Sequence, residues 1–432
     1  MKSIGDGNII VAILGCGWSG VLVSIKMKTF YPMADVVCID RDFYGGLLGS
    51  EVVNGYLFDI GGTHVVFSRK CEIIEGITMG GEWVARERKA YVFLNNNFIP
   101  YPFENGIYVL PPEDRARYGL SLIKALIDYR DVKPANFKEW ILRTFGEEVA
   151  KDYLIPYNEK IWKRPLDKIS ADWVYIPGRL PLPSLEDIVK SVAGIPTIGY
   201  KENALFYYPR RGGIIKQWEY KCSYAESLGV KFLRMEVREV RLSSNEYIVN
   251  GTLRAQRIIN TLPLKEAPSI FDLSDEARRA AERLDYNSVV VVGLGLRKHA
   301  PPQHWVYVPN KHVIFHRYAW ISNYGEDTPP GRAVLIAEVT VPPTWKIDLE
   351  EVESKVIQDL TELNIIKEGE IDVVKSWFHK YGYPIYTLTH KENVKTIVRE
   401  LADRGVLTFG RWGSWQYWNT DRIYEEAVKL SV

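Results

Sequence analysis

Two hydrophobic rhythms alternate along this chain. Residues 9–14, IIVAIL, form an unbroken apolar run of the kind a buried parallel strand shows, and Val21, Ile25 and Met27 then follow at helical spacing. A second short run, VVCI at 36–39, reads as the next strand and ends in Asp40. Strand formers thin out between 113 and 155, where Leu120, Ile123, Leu126 and Ile127, then Phe137, Trp140, Ile141 and Phe145, keep helical spacing and predict a helical insertion. Residues 173–200 are rich in proline and glycine and read as a long, mobile loop or lid. Residues 230–262 alternate as strands and close on RIINTLPL, after which 286–340 carries several β-rich runs divided by turn residues. The order predicts an α/β fold whose first domain is discontinuous, drawn from 1–90, 200–262 and 390–432. Residues 106–199 make the insertion, and 91–105 with 263–389 make a largely antiparallel β-sheet domain for a substrate.

The turn after the first strand carries the first chemistry. Gly15-Cys16-Gly17-Trp18-Ser19-Gly20 is GxGxxG in strand–turn–helix context. Gly15 permits the tight turn, Gly17 lets backbone approach a pyrophosphate, and Gly20 lets helix pack on strand, with the helix N-terminus facing the phosphates. Asp40 stands where an acid accepts hydrogen bonds from a ribose. The domain therefore reads as Rossmann-like and dinucleotide-binding. After its second strand the chain continues into GGLLGSEVVNGYLFDIGGTHVVFS, 45–68, whose glycine pairs suggest backbone laid along an extended cofactor, a flavin dinucleotide. The similar VVGLGLRK at 291–298 has Lys298 in place of a third glycine and reads as an ordinary strand.

Composition narrows the field. Fifty-five basic and 54 acidic residues leave a net charge of +1, so no global field draws the chain to nucleic acid or membrane. Four cysteines without CxxC spacing suit free thiols in a reducing compartment, and no metal site is apparent. No apolar stretch reaches the about 20 residues that span a bilayer, and no signal peptide is evident. The expected location is the cytoplasm.

Further blocks, in order, carry a resemblance: FDIGGTHVVFS (58–68), IPYPFENGIYVLP (99–111), PYNEKIW (156–162), GRLPLP (178–183), YPRRGG (208–213), HRYAWISNYG (316–325), YGYPIYT (381–387) and GRWGSWQYWNTD (410–421). Together they resemble the UDP-galactopyranose mutase family, most of all its eukaryotic type, while the amino-terminal blocks are shared with amine oxidases. The resemblance implies a discontinuous FAD-binding domain. It also implies an isomerase that interconverts pyranose and furanose forms of a UDP-sugar through an N5 adduct of reduced FAD. The implied partners are the UDP-sugar and an electron donor such as NAD(P)H.

The same resemblance assigns roles. Arg179 and Arg317 would grip the diphosphate through bidentate guanidinium forks, helped by Tyr307, Tyr383, Tyr417 and Asn419. Tyr157 and Trp162 match positions beside uridine and sugar. Gly61, Gly62, Arg411 and Asp421 would belong to the flavin side, as would His64, whose glycine–histidine step answers to N5 protonation in the family. Thr63 departs from the pattern: the mutases join glycine to histidine directly, and other flavin oxidoreductases carry this threonine. A second reading therefore stays open, a flavin-dependent oxidase or dehydrogenase of the amine-oxidase kind, which calls for an apolar or aromatic-caged tunnel in place of two phosphate-binding arginines.

Overall fold

A computed structural model of the chain describes residues 9–129, 133–176, 180, 184–197 and 204–431. The apolar run at the start becomes the strand Ile10–Leu14, central in a five-stranded parallel sheet in the order Val406–Thr408, Arg257–Asn260, Ile10–Leu14, Asp35–Asp40, Lys231–Arg234. Parallel strands are covered on both faces, which is why Val11 to Leu14 are all apolar and all fully buried. The helix Trp18–Phe30 covers one face beside Ile215–Ser227 and Thr420–Lys429, and the Trp18 indole donates to the Thr420 carbonyl at 2.9 Å.

A seven-stranded sheet forms the second layer, in the order Ile371–Ile385, Asp285–Leu296, Ala333–Val341, Arg317–Trp320, Trp305–Tyr307, Ala90–Leu94, Asn97–Pro100. Every neighbouring pair is antiparallel except Trp305–Tyr307 beside Ala90–Leu94. The stretch VVGLGLRK enters this sheet as the end of the strand Asp285–Leu296. The fold is thus mixed α/β, with one parallel and one largely antiparallel sheet. Residues 264–284 share their core with the parallel sheet, through Leu264, Phe271, Ala277 and Leu284 against Leu14, Ile39 and Leu401. On that packing we propose the domain boundary near Asp285 instead of at 263.

The insertion holds the helices Pro112–Asp128, Phe137–Val149 and Ile155–Trp162, with a π-helical turn at Ala150–Leu154. The helix expected around Leu120 and Ile127 is present, with both residues exposed and its buried face formed by Tyr118, Gly119, Leu122 and Ala125. A Cβ on Gly119 would collide with the Val192 side chain, so the glycine lets the two segments approach. One expectation needs correction. The loop expected over 173–200 contains a helix, Leu185–Val192. Ser184 caps it by accepting from the Asp187 N–H at 3.1 Å, and its buried Ser191 donates to the Asn105 carbonyl at 2.9 Å and accepts from the Tyr108 N–H at 3.1 Å. All four cysteines are free. Among the described residues no helix is long and apolar enough to cross a membrane.

Candidate functional site

A single cavity of about 930 Å³ draws its walls from both sheets and the insertion. At one end lie Gly15, Gly17, Asp40, Thr261 and Leu262, at the carboxyl ends of the parallel strands, where open α/β sheets bind their ligands. Gly15 has φ +90°, and its N–H donates to the Ile39 carbonyl at 2.8 Å. A Cβ on Gly20 would collide with the Gly15 carbonyl, so Gly20 serves the helix–strand contact and does not line the cavity. Gly17 differs: a Cβ there would meet nothing within 4 Å among the described residues, the open approach a pyrophosphate needs. Asp40 accepts from the Cys16 N–H at 2.6 Å, and burial pushes its carboxyl pKa up.

The glycine-rich stretch 45–68 runs along the cavity through Gly45, Gly46, Leu47, Leu48, Gly61, Thr63, His64 and Val65. Its two arms touch so closely that a Cβ on Gly61 would collide with the Leu47 backbone. His64 is held neutral: burial first, then the charge of Arg411, push its pKa down to about 4. Gly62, at φ +97°, does not line the cavity but turns the backbone past Glu338.

Glu338 was not among the residues expected from the sequence, yet it joins Arg317 and Tyr383 to Thr63. Arg317 and Glu338 are cross-strand partners. The guanidinium donates from Nε to Oε1 at 3.0 Å and from Nη2 to Oε2 at 2.7 Å, a bidentate pair. Oε1 also accepts from the Thr63 N–H at 3.0 Å and from the Thr63 hydroxyl, and Oε2 accepts from the Tyr383 hydroxyl at 3.0 Å. Burial pushes the Glu338 carboxyl up, but Arg317 and then His316 outweigh it and hold the group well below the usual carboxylate range. A sequence signal existed: Glu338 is the one charged residue in the nine-residue strand AVLIAEVTV, every position of which is buried.

The aromatic residues gather around this carboxylate. Trp162 sets its ring edge-on to Tyr417 at 5.7 Å and to Tyr383 at 6.4 Å, and its indole donates to Asn158 Oδ1 at 3.1 Å. Tyr157 meets Tyr307 at 5.5 Å, and the Tyr307 hydroxyl accepts from the Trp305 indole at 3.0 Å. Arg411 lies 4.8 Å from the Tyr417 ring centre and donates to the carbonyls of Gly382 and Trp418, at 2.7 and 3.2 Å. Asn419 is the N-cap of Thr420–Lys429 but makes no side-chain cap bond, and it lines the cavity. Asp421 sits in the first turn of that helix, outside the lining. The structure thus brings Gly15, Gly17, Asp40, Gly61, His64, Tyr157, Trp162, Tyr307, Arg317, Tyr383, Arg411, Tyr417 and Asn419 to one cavity. Arg179 lies outside the described residues.

A family model for flavin containing amine oxidoreductases matches residues 40–392. The chain belongs to that family. Its fold is similar to several solved structures. One is a reduced UDP-galactopyranose mutase, with TM-score 0.87 and 24% identity, covering 98% of this chain and 92% of that one. Another is a putative protoporphyrinogen oxidase from Exiguobacterium sp. 255-15, with TM-score 0.72 and 14% identity, covering 99% of this chain and 100% of that one. A third is a putrescine oxidase bound to putrescine, with TM-score 0.61 and 16% identity, covering 98% of each. As a flavin containing amine oxidoreductase, the chain is of a flavoenzyme family, and the open approach at Gly17 with the cavity that continues from it past Gly61 and His64 fits an extended flavin nucleotide.

Proposed function

We propose that this flavoenzyme binds FAD and, with the flavin reduced, interconverts the pyranose and furanose forms of a UDP-sugar. The observation that carries the reading is the charge state of the cavity. Among the described lining residues every carboxylate already has a partner: Asp40 the Cys16 N–H, Glu236 the Arg238 guanidinium, Glu266 Lys380 and Tyr381, and Glu338 Arg317. An amine cation would find no carboxylate waiting for it. An anion would find Arg317, whose Nη1 has no protein partner among the described residues, beside the hydroxyls of Tyr307, Tyr383 and Tyr417.

Bound in reduced form, the flavin supplies a nucleophilic nitrogen, N5, toward the anomeric carbon. The chain's own residues do the rest. Arg317 and Arg179 grip the diphosphate, helped by Tyr307, Tyr383, Tyr417 and Asn419, and Tyr157 with Trp162 packs against uridine and sugar. His64, neutral across physiological pH, presents its turn to the flavin, and Arg411 adds positive charge on the same side. Gly15, Gly17, Gly20, Asp40, Gly61, Gly62 and Asp421 shape and hold the cofactor end.

The test is to incubate the dithionite-reduced protein with UDP-galactofuranose and look for the pyranose isomer, which should form and should cease to form on reoxidation. The second reading is an amine-acting flavin oxidase, favoured by the family and by Thr63 beside His64. Steady oxygen consumption with an amine, and no isomer in either redox state, would put it first.

A further inference from the structure

Thr63 is the residue that departs from the mutase pattern, and its two donors meet on one oxygen of Glu338. That oxygen also takes the Nε–H of Arg317, while the other takes Arg317 Nη2 and the Tyr383 hydroxyl. One buried carboxylate therefore ties the flavin-facing turn 61–64 to the arginine and the tyrosine assigned to the diphosphate. A carboxylate out of water must have its lone pairs occupied or take up a proton. A second anion arriving at Arg317 competes for the guanidinium and weakens its hold on Glu338. The donors that stay are those of Thr63 and Tyr383.

We propose that Thr63 is a positioning residue, whose hydroxyl holds Glu338 in place and leaves Arg317 free to share its guanidinium with an anionic ligand. The inference rests on the nucleotide-sugar reading for the identity of that anion. Its consequences follow from the surroundings of Glu338. Charged and titratable neighbours facing it are Arg317, His316 with Nε2 at 3.8 Å, and Tyr383, and its charge also reaches His64 and Tyr324. Without the Thr63 hydroxyl, Glu338 draws more strongly on Arg317, and because Arg317 keeps the carboxyl ionised, that pull persists at neutral and mildly acidic pH.

The experiment uses UDP as probe on the FAD-loaded protein, with calorimetric titration of wild type, Thr63→Val and Thr63→Ser between about pH 5.5 and 8. Thr63→Val keeps the shape and the backbone N–H but loses the hydroxyl. It should bind UDP roughly tenfold more weakly near neutral pH, with the deficit relative to wild type persisting down to about pH 5.5, because Arg317 keeps Glu338 ionised throughout. Thr63→Ser should restore the affinity. Equal affinity in Thr63→Val and wild type overturns the inference, and so does a serine variant that behaves like the valine. Failure of wild type to bind UDP refutes the nucleotide-sugar reading instead. The contact is then judged on the bound flavin, whose absorption and reduction potential should shift in Thr63→Val and return in Thr63→Ser. Identical values in all three variants reject it.

Discussion

Gly17 and Gly20 sit three residues apart and should fail in opposite ways. Gly17 has φ −72°, and a side-chain carbon there would meet nothing within 4 Å among the described residues, so Gly17→Val should fold normally and lose its flavin. Gly20→Ala should fold poorly, because its methyl collides with the Gly15 carbonyl. Absorption per protein and far-UV circular dichroism separate the two, and a yellow Gly17→Val protein would reject the pyrophosphate assignment. Arg317 is harder to probe than its ligand role alone suggests. Arg317→Ala should weaken UDP binding roughly ten- to hundred-fold, yet it also strands a buried carboxylate, which costs about 3–5 kcal/mol of stability. Adding Glu338→Gln should recover most of the melting temperature and none of the UDP affinity. If the double variant binds UDP like wild type, Arg317 is not the diphosphate ligand.

At the scale of elements, the helix His390–Asp403 begins on an unusual residue. His390 is buried, stacks on Tyr386 at 3.8 Å and 13°, and has no hydrogen-bond partner for either ring nitrogen among the described residues. Burial pushes its pKa down to about 4, against a weaker opposing pull from Asp172. The unfolded chain therefore binds the proton first. Stability from this group is complete above about pH 6.5 and is lost as pH falls toward 4. At pH 5 the loss is about 1–2 kcal/mol. His390→Phe keeps the stack without the proton site, so its melting temperature should fall less between pH 7 and pH 5 than that of wild type. Equal slopes in the two proteins would show that His390 does not titrate in this window.

On the scale of the whole molecule, the parallel sheet is assembled from strands near 10, 35, 231, 257 and 406, so no contiguous piece of the chain contains it. Truncation before Val406 removes an edge strand, Arg411 and Asn419 together, and should abolish flavin loading as measured by absorption. A ligand that binds only the folded state stabilises it by about 2.7 kcal/mol at a hundredfold excess over its Kd. UDP should therefore raise the melting temperature of the FAD-loaded protein, and putrescine should not. The reverse pattern would favour the amine-oxidase reading.

Local sterics and short-range periodicity are legible in the amino-acid sequence itself. The strand Ile10–Leu14, its glycine turn and the helix that follows are contiguous, and the demands on each position come from neighbours a few residues away. Tyr157, Trp162, Tyr383 and Tyr417 are legible only through resemblance, because nothing in their local spacing requires a shared cavity. The helix Leu185–Val192 is hidden inside a proline- and glycine-rich stretch, where flanking breakers outweigh its Ser184 cap and Ile188 anchor. Glu338 shows the limit most clearly. Its meeting with Arg317 depends on which residue of one strand lies opposite which residue of the next, and a shift of one position would turn every side chain to the other face. Alternating hydrophobicity says that a strand exists, whereas register is decided only when the sheet packs. Thr63 and Tyr383 then reach the same carboxylate from distant parts of the chain, so the centre of the candidate site is a product of tertiary structure, while the strand and glycine turn at its other end are written in a dozen consecutive residues.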